Sequence, residues 1–292
     1  MRKKILIIII IVSMIFSISC INQSDKKPKN INQKEKAPET LTKVVDGIDK
    51  LMTSVDEVAK IAELTESEFQ AQKSEIEGNK KPSNENKQEN QQSKQGESQD
   101  KSEKNDEEQK DNITRDEEIF MKWEEIDNSL EDIHRDWNSY EVESVKKGAN
   151  PDQGKEFKKS LNSFTKAIEN RQMVDIMDTG SRTVNSLAPF FDLYKDEING
   201  DLSRINYSTY QAFLKAKEGD IKTADKLINE AAEYSGRIRQ KLDKDKDKDK
   251  IKELDKLSLA ISDMKLALNE NSIKLLEIKR DITLKNIKAL RE

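Results

Sequence analysis

Side chains able to do chemistry are few in this 292-residue chain: there is one cysteine, Cys20, and one histidine, His134. A Ser-His-Asp arrangement could draw only on His134, which stands between Ile133 and Arg135 in a charged helical stretch with no strand-turn-helix serine nearby. A zinc site would have to be completed by carboxylates, because no second cysteine or histidine is present. Asp243, Asp245, Asp247 and Asp249 alternate with lysines in the manner of a calcium loop. The match fails in detail: positions six and twelve, where an EF-hand needs Gly and Glu, are Lys248 and Leu254, and the lysines cancel the charge that would hold the ion. Glu117-Glu118 and Glu124-Glu125 are sequence neighbours that point to different helical angles, which suits a solvated face better than an acid-base pair. These residues predict no catalytic, cofactor-binding or metal site. Chemistry run by carboxylates alone is the enzymatic alternative.

Two groups of residues suggest attachment and binding instead. Met1-Arg2-Lys3-Lys4 precedes a 14-residue apolar run, Ile5 to Ile18, then Ser19 and Cys20. A basic start, an apolar run shorter than the roughly 18 residues of a spanning helix, and small residues before a cysteine read as a lipoprotein signal segment over 1–19, with Cys20 as the lipidated residue. Two or more acyl chains hold a protein stably to a bilayer, at about 0.8 kcal/mol per buried methylene. The other reading is an uncleaved signal anchor with an incidental cysteine. Farther on, Lys155, Lys158, Lys159 and Lys166 share a helical stretch with Phe157, Leu161 and Phe164. They fit a helix showing lysines to water, or a basic patch for an anionic polysaccharide.

The formal charge is −5, becoming −8 once Arg2, Lys3 and Lys4 leave with the signal. An acidic body of this kind is not built to coat nucleic acid. With no disulfide available the fold must be stabilised by packing, so at 34% hydrophobic and 37% charged the apolar residues have to be concentrated in part of the chain.

Residues 20–38 are polar and lysine-rich and read as a tether. Leu41, Val45, Ile48, Met52, Val55, Ala59 and Ala62 then step by threes and fours, predicting one amphipathic helix over 39–76 that needs a partner. Residues 77–112 contain no aliphatic, aromatic or alanine residue and predict a disordered polar linker. A helical bundle is expected over 113–292. Thr114 and Glu117 have capping-box spacing ahead of Ile119, Trp123, Ile126, Leu130, Ile133, Trp137 and Tyr140; Gly148 should stop that helix, and Asn150-Pro151 should start the next. A third helix over 171–198 should break or kink near Gly180 and Pro189. Gly200-Asp201 and Gly219-Asp220 should separate the two that follow. The heptad Leu254, Leu257, Ile261, Met264, Leu268, Leu275, Ile278, Ile282 and Ala289, with Asn271 and Lys285 in its gaps, predicts one long C-terminal helix, filling a groove of its own bundle or pairing two chains in a homodimer. The fold class is all-α, an antiparallel multi-helix bundle.

In its layout the chain resembles the outer-surface lipoproteins of Borrelia spirochaetes, on the basic Met1-Arg2-Lys3-Lys4, the isoleucine-rich Ile5 to Ile11, the loose Ser17-Ile18-Ser19-Cys20 lipobox, the Lys/Asn/Glu/Gln-rich tether and the helical body. The resemblance implies one of the paralogous helical families, a place on the cell outer membrane facing outward, and a host protein ligand such as a complement regulator, plasminogen or a matrix component. No binding residue carries over. The alternative is a periplasm-facing envelope protein acting by helix pairing.

Overall fold

The computed structural model describes residues 36–78, 113–195 and 197–292, so the expected signal segment, Cys20, and all but the first two residues of the linker expected over 77–112 lie outside the described residues. Among the described residues there are nine antiparallel-packed helices: α1 (Glu39–Ala62), α2 (Glu66–Gly78), α3 (Arg115–Lys147), α4 (Pro151–Glu169), α5 (Met173–Phe191), α6 (Asn199–Lys217), α7 (Ile221–Lys241), α8 (Lys248–Asn269) and α9 (Ile273–Arg291).

Several boundaries follow from local chemistry. Thr114 caps α3, its hydroxyl accepting from Glu117 N while the Glu117 carboxylate accepts from Thr114 N, and Gly148 ends the helix at φ 94°, a conformation a side chain would strain. Asn150 caps α4 with Pro151 in its first turn. Gly219 turns at φ 85° and Asp220 caps α7.

Other boundaries correct the sequence expectation. The helix expected over 39–76 is two helices, divided at 63–65, where Thr65 and Glu68 make side-chain bonds of their own: Thr65 N donates to Glu68 Oε2 at 2.8 Å. Helix α5 continues through both Gly180 and Pro189 and ends at Phe191. Gly180 stays because there is no room for a side chain; a Cβ there would lie 2.7 Å from Met52 Sδ and from Phe164 Cε2. Gly200 and Asp201 do not separate helices but form the first turn of α6. The long C-terminal helix is a hairpin: Asn271, at φ 50°, turns the chain, and Ser272 caps α9 by accepting from Leu275 N. The longest helix among the described residues is α3, with 33 residues.

Two apolar clusters form the interior. One joins α1, α3, α4 and α5, with Trp137 stacked on Phe157 (centroids 4.0 Å apart) and edge-on to Phe190. The other joins α6, α7, α8 and α9. Helix α1 is therefore part of the bundle rather than a satellite of the 113–292 body, with Leu41, Val44, Val45, Ile48, Leu51, Met52, Val55 and Val58 all buried. At about 1.5–3 kcal/mol for each fully buried aliphatic side chain, those eight supply on the order of 10–20 kcal/mol before entropy is subtracted, as much as the net stability of a whole domain.

Between the clusters runs a charged seam linking α1, α6 and α9. Arg280 is 1% exposed, packed over the Phe213 ring with its guanidinium 4.5 Å from the centroid. Its Nη2 donates to Asp281 at 2.6 Å and to Asp56 at 3.4 Å. Eleven residues on, Arg291 donates to Asp49 at 2.5 Å, and Asn206 of α6 donates to the same carboxylate at 3.1 Å. Burial pushes the Asp49 and Asp56 carboxyls up from the ordinary value, and Arg291 and Arg280 oppose that shift.

Two outcomes follow from this packing. A site-specific protease sequence placed within 79–112 should, once cut, leave residues before and after the cut together in gel filtration and release them only in denaturant; separation under native conditions would contradict the place of α1 in the core. Arg280→Met alone should cost about 3–5 kcal/mol by leaving the largely desolvated Asp56 carboxylate without its partner, while Arg280→Met with Asp56→Leu should recover most of that loss. Denaturant titration of both variants measures it, and equal losses would show that the two residues do not act as a pair.

Candidate binding surface

Helix α4 packs Phe157, Leu161, Phe164 and Ile168 inward, because its apolar residues recur every three or four positions. The same period sends Lys155, Lys159, Asn162 and Lys166 outward along one stripe. With Lys158 and Ser163 they line a shallow open depression of about 480 Å³. Lys155 pairs with Asp152 at 3.0 Å and Lys158 with Glu141 of α3 at 2.7 Å. The lysines singled out from sequence are thus brought to one surface, together with two hydrogen-bonding side chains that sequence reasoning had not included.

His134 lies elsewhere, half-buried in a second groove between α3 and α4. That groove, of about 450 Å³, is lined by Asp127, Glu131, Thr165, Glu169 and Arg171 over Leu130 and Ile168. His134 Nε2 is 2.9 Å from Thr165 Oγ1, whose own hydroxyl donates to Leu161 O at 3.0 Å. A Thr165 hydroxyl directed at Leu161 O is matched by the ring tautomer that carries its proton on Nε2. Burial holds the His134 pKa below the usual histidine value, favouring the neutral ring. Thr165, 31 residues away, had no signal in the sequence.

The acidic-lysine run at 243–250 is spent on a turn. Asp243 N donates to Asp247 Oδ2 at 2.9 Å, Asp245 N donates to Asp243 Oδ1 at 3.0 Å, and α8 begins at Lys248. The bond from the Asp245 backbone holds the Asp243 carboxyl below its ordinary value. Among the described residues no group of three or more His, Cys, Asp and Glu side chains is disposed to hold a metal ion, and no helix is long and apolar enough to cross a membrane.

The predicted heptad splits at the hairpin. On α8 its members Leu254, Leu257, Ile261, Met264 and Leu268 are buried, but on α9 the buried set is Leu276, Arg280, Thr283, Ile287 and Leu290, one or two residues out of step with the prediction. Ile278 and Ile282 consequently face solvent, as do Leu259 and Leu266 of α8. Compared with protein-family models, with curated proteins and with solved structures, the chain gives no significant match in any of the three.

Because the folded His134 ring resists protonation, the unfolded chain takes up the proton first on acidification. Stability from this group is present above about pH 6.5 and falls as the pH drops through that value and below. The imidazole resonance should titrate with a midpoint below about 6.5, and His134→Gln should flatten the change in melting temperature between pH 7 and 5; a midpoint above 6.5 would contradict the burial argument.

Proposed function

We propose that this is a lipid-anchored bacterial surface protein of the Borrelia outer-membrane type, held by acyl chains on Cys20 and acting by recognition of a host macromolecule rather than by catalysis. The observation that carries the reading is the arrangement of Met1-Arg2-Lys3-Lys4, the apolar Ile5 to Ile18 and Cys20 ahead of a packed helical body that begins by residue 39. The body's interior charges support binding over chemistry, since Arg280 and Arg291 are engaged by Asp56, Asp281 and Asp49, and His134 by Thr165.

The place of α1 in the core alters the geometry of display. Residues 21–38 are the whole lead between the proposed anchor and the body. Residues 79–112 then connect α2 to α3 instead of joining the anchor to the body. A cut there nicks the protein without releasing it.

Protease added to intact cells should cleave within 79–112 while leaving the body cell-associated, and Cys20→Ala should abolish incorporation of labelled fatty acid. Protection in intact cells, with cleavage only after the outer membrane is opened, would favour the periplasm-facing reading. Fatty acid retained in the Cys20→Ala form would remove the anchor from it.

A further inference from the structure

The outer stripe of α4 has the spacing of a site for an extended anion. Lys155, Lys159 and Lys166 project from one face at intervals of four and seven residues, about 6 and 10 Å along the axis at 1.5 Å per residue. Lys155 and Lys158 have carboxylate partners, whereas Lys159 and Lys166 have no ion pair among the described residues. Ser163 Oγ donates to Lys159 O at 3.1 Å and so turns acceptor lone pairs outward, and Asn162 beside it offers both a donor and an acceptor. No carboxylate lines the depression itself.

From this we infer that the α4 face binds a sulfated or carboxylated linear polysaccharide. The inference rests on the reading of the body as a recognition module and names the partner chemistry of that surface. Lysines are compact point charges suited to anions whose orientation is not set by a planar fork. The stripe carries no aromatic side chain on which nucleic acid bases could stack, and no apolar side chain to enter a bilayer beneath lipid headgroups. Amide and hydroxyl groups set between the cations match the alternation of charged groups and hydroxyls along a polysaccharide. An exposed electrostatic contact of this kind weakens as salt rises.

The test uses the purified full-length protein in detergent, with heparin fragments and chondroitin sulfate as probes and a single-stranded oligonucleotide and inorganic phosphate as competitors. Wild-type protein should bind heparin in a salt-dependent manner. Lys159→Gln with Lys166→Gln should lower affinity roughly tenfold, a loss of about 1.4 kcal/mol. Lys159→Arg with Lys166→Arg, which keeps both charges, should retain most of it, and Lys222→Gln with Lys226→Gln on α7 should change little. Circular dichroism of each variant separates lost binding from lost fold. Affinity unaltered by the double Gln variant, no binding by the wild type, or tighter binding to the oligonucleotide would overturn the assignment. Protease accessibility on intact cells is read independently, so failure of this surface and failure of the surface-protein reading are distinct results.

Discussion

The insertion of α1 among α3, α4 and α5 is the contact on which the rest of the packing depends, because it closes the first described helix onto segments that follow it by more than 50 residues. Met52 reaches Gly180 of α5, and Ile133 of α3 packs against Gly47 so closely that a Cβ there would fall 2.9 Å from its side chain. Without α1, Ile133 of α3 and the Gly180 surface of α5 would lose the side chains and backbone that pack against them. The interior would then lose apolar burial on a scale that no surface ion pair can offset.

The same helix supplies charge to the boundary between the two apolar clusters. Asp49 and Asp56, seven residues and hence two turns apart on one face, meet Arg291 and Arg280 of α9. Buried pairs of this kind add little net stability compared with a well-packed apolar seam, but they permit few alternative registers, because sliding α9 would strand a desolvated guanidinium. A fully buried carboxylate acts similarly within the other cluster: Asp201, with no exposed surface, is met by Arg237 at 2.8 Å and Lys241 at 2.9 Å, fixing the start of α6 against the end of α7. Charged groups thus enter the interior at points where helices must find their alignment.

Much of the bundle was legible because helix caps are local. Thr114 and Glu117, Asn150 with Pro151, Gly148, and Gly219 with Asp220 all lie within a few residues of the groups they satisfy, so spacing alone reveals them. Thr65 with Glu68 and Asn271 with Ser272 carried signals of the same kind, but each sat inside a longer apolar repeat that suggested continuity. The lysine stripe of α4 was legible for the same reason, since it needs only one helix. The Thr165 partner of His134 was not, since it depends on how two helices lie together.

What the amino-acid sequence determined by itself was the helical class, most boundaries and the outward lysines of α4, because each follows from contacts within one or two turns. The tertiary structure alone decided that α1 belongs to the core, that Gly200 and Asp201 begin a helix, and that α9 turns Arg280 inward while Ile278 and Ile282 face water. Hydrophobic periodicity ranks faces by apolar content and so assigned α9 the wrong one. Arg280 is stable in the interior only because Asp56, 224 residues earlier, and the aromatic ring of Phe213 are already there, and that arrangement exists only after the chain has packed.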